Sequence, residues 1–460
     1  MADDHDSAVG ARGLDDSATG PVVLPDDEVP VGTVVEVPVV KPRHFAGFDG
    51  LRAIAAVTVL LVHTAFISGY TFQSPLGIYT ARLDIGVSVF FLISGFLLYR
   101  PFAISHLTGR NAPNTKRFWE RRLLRIVPAY WVALTLMSYV FHVTTMNPGI
   151  RQVAIHYLFL QIYFPTSSTL GIGQAWSLCV EMSFYLALPF IALAIGASRK
   201  SQKSQKSQKS QMVRELLAMA GLYLISVGFR WWISGFPNSK TVNGHQVLIC
   251  QPHCAQSAPL SMVMQLWLPA RIDLFALGML LAVLSVWWTE RDTEPGWLSH
   301  RAMPWLAWAG AAAVFWCVSH LGISGTPTVL VSTSKEMEQQ ALYGLFAFLL
   351  LLPAVFGPED RSLIRRFLRC WPVASIGAVS YGIYLWHLGV AVKFLSATGY
   401  VLFETPFWIL SLWVFGITTV IASLSYFALE KPILRIKGRL GWWNRPSGPD
   451  ATLDSKVLSE

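Results

Sequence analysis

Charge and cysteine are both scarce in this chain, and each shortage rules something out. Among 460 residues there are 36 lysines and arginines and 27 aspartates and glutamates, so 14% of the chain is charged against 53% hydrophobic. A soluble domain has no means of covering that much apolar surface, and a disordered chain needs the opposite balance. Five cysteines, Cys179, Cys250, Cys254, Cys317 and Cys370, make neither a disulfide scaffold nor a metal-ligand framework. No metal and no permanently bound cofactor is expected, and Cys250 and Cys254 can pair only if their loop is extracytoplasmic. No long apolar run occurs before about residue 42, which argues against a signal peptide there. Paired half-helices broken by glycine and proline, the mark of inverted-repeat transporters, are also missing. The net charge of +9 comes from cations in loops at helix ends, which points to membrane topology rather than to nucleic acid.

What the chain has instead is a series of apolar stretches near twenty residues long, the length that crosses a hydrocarbon core ~30 Å thick. Their spacing predicts an all-α polytopic membrane protein with about ten transmembrane helices in one bundle. The expected spans are about 51–70, 84–102, 121–144, 175–197, 212–233, 266–288, 303–323, 339–356, 373–392 and 406–429. The piece from Val153 to Pro165 is too short to cross and suits a re-entrant or interfacial segment. Basic clusters mark the cytoplasmic ends: Lys41 and Arg43, then Arg110, Lys116 and Arg117, then Arg199 and Lys200, then Arg361, Arg365, Arg366 and Arg369. Ten spans on that pattern leave both termini cytoplasmic. Residues 1–44 read as a disordered acidic tail, 45–435 as the membrane domain, 199–211 as a low-complexity cytoplasmic linker and 436–460 as a cytoplasmic tail.

Polar groups at depth form a short roll, and such groups are functional candidates because the bilayer makes them costly. His63 lies eleven residues after Arg52 on the first helix, ~16 Å further along its axis. Arg52 therefore reaches a membrane face while His63 sits near the midplane. A histidine simply hydrogen-bonded inside the bundle is the structural alternative. Glu181, Arg271, Asp273 and His387 are expected to surround the outer end of a cavity, with Arg271 paired to Asp273 as the alternative role. On the cytoplasmic side Arg52, Arg121, Arg122 and Arg125 form a cluster, and guanidinium forks suit phosphate oxygens.

Several blocks, in order, resemble the membrane-bound acyltransferase-3 family. They are Phe48-Asp49-Gly50-Leu51-Arg52 through to His63, Val89-Phe90-Phe91-Leu92-Ile93-Ser94-Gly95-Phe96-Leu97, Arg121-Arg122-Leu123-Leu124-Arg125-Ile126-Val127-Pro128, Ala175-Trp176-Ser177-Leu178-Cys179-Val180-Glu181 through to Tyr185, Ser380-Tyr381-Gly382-Ile383-Tyr384-Leu385-Trp386-His387, and Glu430-Lys431-Pro432. The likeness covers about residues 45–435. It implies transfer of an acyl group from acyl-CoA to a hydroxyl of a carbohydrate, lipid or similar acceptor, with His63 catalytic and Arg52 its partner. Ser88 stands where many members carry an acidic residue. Trp176 and Tyr381 then join Glu181, Arg271, Asp273 and His387 as candidate acceptor-binding residues, and Arg52, Arg121, Arg122 and Arg125 are the candidate donor site. No esterase domain of the Ser-Gly-Asn-His type is expected after the last helix. A secondary transporter, or a non-catalytic lipid-binding scaffold, is the rival class; neither needs both His63 and Arg52 for acyl transfer.

Overall fold

The computed structural model describes residues 45–433, apart from 169, 197–204, 237–238, 243–244, 249–258, 290, 292, 324–332 and 358–361, together with 21–22 and 35–36. Two units are distinguished, Met1–Phe45 and Ala46–Glu460. In the first, Pro21–Val22 pairs antiparallel with Val35–Glu36; the rest of the expected acidic tail lies outside the described residues. The second is helical, save for one antiparallel hairpin, Ser239–Val242 with His245–Leu248. The Cys250–Cys254 pairing and the 436–460 tail lie outside the described residues.

The main helices are α1 (Gly47–Ile67), α2 (Gly86–Thr108), α3 (Thr115–Thr135), α4 (Ile150–Tyr157), α5 (Trp176–Gly196), α6 (Gln205–Ile233), α7 (Leu268–Thr289), α8 (Met303–Ser319), α9 (Thr333–Val355), α10 (Leu363–Arg369), α11 (Trp371–Ala378), α12 (Ser380–Thr398) and α13 (Phe407–Ser425). Among the described residues eight helical segments are long and apolar enough to cross a membrane. Two further stretches lie where the remaining expected spans fall, and counting the bent pair as one span gives up to nine. One is α8, 17 residues long. The other is α11 with α12, bent by 69° where a single unbroken span was expected. Val379 ends the first piece and Ser380 starts the second. The segment around 153–165 does not span: α4 has eight residues and is followed by a short 3-10 turn, Gln161–Tyr163. The expected linker at 199–211 is shorter than the composition suggests, because α6 already begins at Gln205. Serine, glutamine and lysine are tolerated in helices, and no glycine or proline interrupts the run.

α1 is the centre of the bundle, packed against α2, α11, α12 and α13. Membrane helices associate closely where small residues let backbones touch. At the crossing of α2 and α7 this is reciprocal: a Cβ on Gly95 would meet the Phe275 carbonyl oxygen at 2.3 Å, and one on Gly278 would meet that of Leu92 at 2.1 Å. The foot of α1 is clasped in the same way, since a Cβ on Gly377 would lie 1.9 Å from the Asp49 carbonyl oxygen. Arg52, near this clasped foot, is thereby fixed relative to the start of α12.

Candidate functional site

α3 and α13 both end in π-helical turns, Leu136–Val140 and Tyr426–Glu430. Between α3 and α1, α2, α5 and α12 lies a cavity lined by Arg52, Arg122, Arg125, Glu181, Tyr185, Ser94, Ser177, Tyr381 and Tyr384. Arg122 and Arg125 stand three apart on α3 and so share a face. Arg52 joins them from α1, with its Nη1 held by Asp49 Oδ1 at 2.8 Å across one helical turn. Glu181, the carboxylate of the lining, accepts hydrogen bonds from Ser94 and Tyr185. Three guanidinium groups against one carboxylate leave the cavity positive. Arg122 Nε is buried with no hydrogen-bond partner in the protein. Glu430 lies within electrostatic reach of Arg125 and Tyr381 but outside the cavity lining.

Further along α1 and α12 two histidines meet. His387 Nε2 is 3.1 Å from His63 Nδ1, which also lies 2.8 Å from the Val59 carbonyl oxygen. His387 Nδ1 is 3.2 Å from the Ile383 carbonyl oxygen. These contacts assign the tautomers, because a neutral imidazole has one N–H and a carbonyl oxygen only accepts. His387 donates from Nδ1, leaving Nε2 to accept. His63 donates from Nδ1 to Val59 and His387 together. His63 Nε2 is then an unprotonated nitrogen, and it makes no hydrogen bond among the described residues. His387 is 1% exposed. Tyr384, a cavity-lining residue, stands beside the pair with its ring centroid 6.0 Å from that of His387.

Several sequence-derived placements are corrected by this geometry. Arg121 is exposed and does not line the cavity, since one residue on α3 turns its side chain ~100° away from Arg122. Glu181 belongs with the arginines instead of with the outer group. The expected depth counted from a helix start at the membrane surface, but that start is itself inside the bundle, with Ile162, Gln174 and Ala175 at most 3% exposed. Arg271 and Asp273 do not pair directly, because residues two apart face different sides of a helix. Asp273 accepts from Arg230 Nη1 at 2.9 Å, whereas Arg271 donates to Gln340 and to the Gln265 carbonyl. Trp176 lies under the Arg271 guanidinium, 5.6 Å from ring centroid to Cζ. Trp176, Arg271 and Asp273 thus belong to a second polar cluster outside the cavity. Neither His63 nor His387 is among the residues lining the cavity, and Tyr381 lines the cavity as well as donating to the Ile126 carbonyl at 2.8 Å.

Sequence reasoning missed Arg230, Tyr185 and Tyr384. Arg230 carried a signal, a cation at the far end of a largely apolar span. The two tyrosines carried none beyond membership of a motif, since tyrosine is ordinary in membrane helices.

A family model described as "Acyltransferase domain" matches residues 45–427. The chain is 23% identical over 415 residues to O-acetyltransferase OatA of Staphylococcus aureus, covering 86% of this chain and 58% of that protein. It is 25% identical over 416 residues to the "Putative peptidoglycan O-acetyltransferase YrhL" of Bacillus subtilis, covering 85% and 55%. The chain thus spans little more than half the length of these curated relatives. No solved structure matches it.

Proposed function

Because this chain belongs to the acyltransferase-domain family, we propose that it is a multi-pass membrane O-acyltransferase moving an acyl group from cytoplasmic acyl-CoA to a hydroxyl of an envelope carbohydrate or glycolipid. Both termini are cytoplasmic in this reading, as ten crossings and the basic loops require. The observation that carries it is the pairing of a three-arginine cavity with a histidine dyad ~16 Å further along the same helix. CoA is strongly anionic at its nucleotide and carries its thioester at the end of a long flexible arm. Arg52, Arg122 and Arg125 bind the phosphates by charge-assisted hydrogen bonds, and the arm brings the thioester towards His63.

His63 Nε2 takes the proton of the acceptor hydroxyl as its oxygen attacks the thioester carbon. The new C–O bond forms, the C–S bond breaks, and the CoA thiolate leaves and recovers the proton. During this step His63 becomes an imidazolium whose Nδ1–H already points at two acceptors, Val59 O and His387 Nε2. No reorganisation is needed to stabilise that charge. Tyr381 and Tyr384 line the arginine cavity, and Tyr384 also stands beside His387. The names of the relatives favour acetyl as the group and peptidoglycan as a candidate acceptor. The test is turnover by detergent-purified protein with labelled acetyl-CoA and envelope glycans. His63→Ala is expected to retain acetyl-CoA binding while transfer falls by about 100-fold to 10,000-fold. Near-normal turnover per folded molecule would remove His63 from the mechanism.

A further inference from the structure

On the other side of Gln174 from the arginine cavity is a groove of mixed polar and apolar lining. One part is lined by His142, Thr144, Thr145, Gly171, Gln174 and Gly389, and it continues through His142, Thr144 and Thr145 to Asn147 and Ser138. Its lining carries no lysine, arginine, aspartate or glutamate. Gln174 is 3% exposed, and its Nε2 donates to the Tyr384 and Leu385 carbonyls at 3.2 and 2.9 Å. That fixes which end of the amide is which, and it leaves Oε1 buried without a partner. A second acceptor is stranded nearby. His156 Nδ1 donates to the Gln152 carbonyl at 2.8 Å, so Nε2 carries a lone pair; it is buried, unpartnered and packed against Gly171 of the groove. A buried acceptor without a donor costs stability, so the Gln174 oxygen, on a side chain of the groove lining, calls for a ligand that brings a hydrogen-bond donor, whereas His156 lies behind Gly171 and outside that lining.

The groove adjoins the arginine cavity. Tyr384 donates to the Gln174 carbonyl at 2.8 Å and contacts Ser177 Oγ at 2.6 Å. Tyr384, Ser177 and Gln174 therefore form the wall between the arginine cavity and the groove, and Leu388 and Gly389 of the groove directly follow His387 in α12. Resting on the acyl-transfer reading above, we infer that this groove is the acceptor subsite and takes a neutral polyhydroxylated chain, a carbohydrate, with threonine hydroxyls and the Gln174 amide oxygen meeting its hydroxyl groups. An anionic lipid headgroup would call for cations, and the groove lining carries no lysine or arginine.

Saturation-transfer NMR on the full chain in detergent, with a β-1,4-linked N-acetylglucosamine tetramer as probe and no acyl donor, tests this. The tetramer should receive saturation from the wild-type protein, and Thr145→Trp, which fills the groove, should weaken its binding about tenfold or more. Labelled acetyl-CoA binding should be unchanged in that variant, which also reports that it is folded. If Thr145→Trp does not fold, the pair Thr144→Val and Thr145→Val decides, with about fivefold weaker binding expected for each hydroxyl removed. No transfer to the tetramer in wild type, undiminished transfer in the filled or valine variants, or displacement by added phosphatidylglycerol overturns the inference. Acetyl-CoA binding without tetramer contact refutes the groove and leaves the acyl-transfer reading standing; tetramer contact without acetyl-CoA binding does the reverse.

Discussion

His387→Phe separates a positioning partner from a base. The ring keeps much of its volume and its packing beside Tyr384, but the acceptor for His63 Nδ1–H at 3.1 Å is lost. In the neutral enzyme the loss is small, because Val59 O at 2.8 Å still accepts from the same N–H. When His63 takes up the acceptor's proton, the missing bond is one to a charged group, worth roughly 1.5–3 kcal/mol. Each 1.36 kcal/mol of barrier is about tenfold in rate. We therefore expect kcat to fall by roughly 10-fold to 150-fold, with acetyl-CoA affinity intact. Rapid-quench turnover with labelled acetyl-CoA, beside a direct binding titration, gives both quantities. The double variant His63→Ala with His387→Phe should be no slower than His63→Ala alone, since the second change acts only through the first residue. A full further loss in the double variant, or an unchanged kcat in the single one, would refute the dyad.

Arg122→Ala should weaken acetyl-CoA binding by roughly 10-fold to 150-fold, the value of one charge-assisted phosphate contact, whereas Arg121→Ala on the exposed flank should leave it unchanged in the same titration; equal effects would show that general surface charge, not the cavity, holds the donor. Asp273→Ala leaves Arg230 buried and unpaired, so the purified protein should lose about 3–5 kcal/mol of stability; an unaltered thermal midpoint would show that the pair is not structural. A topology reporter fused after Lys200 or Arg366 should read cytoplasmic and one near Gly244 extracytoplasmic; the opposite signal at Lys200 would overturn the ten-crossing arrangement.

The sequence by itself determined the rough limits of most crossing segments, because twenty apolar residues and a ~30 Å hydrocarbon core match by length alone. It also determined the separation of Arg52 and His63, since helix rise is a local constant, and the order of the motif blocks that marks the family. Everything that depends on which helix faces meet was decided only by the tertiary structure. His387 reaches His63 across 324 residues of chain. Asp273 finds Arg230 instead of Arg271 because two residues along a helix turn a side chain to another face. Glu181 lies beside the arginines because its helix begins below the surface from which its depth was counted. The 69° bend between α11 and α12 likewise left no mark in hydropathy, which is blind to direction. Local periodicity constrains a single helix, whereas the partner of each buried polar group is set by close backbone crossings such as Gly95 with Gly278, contacts between residues far apart in the chain.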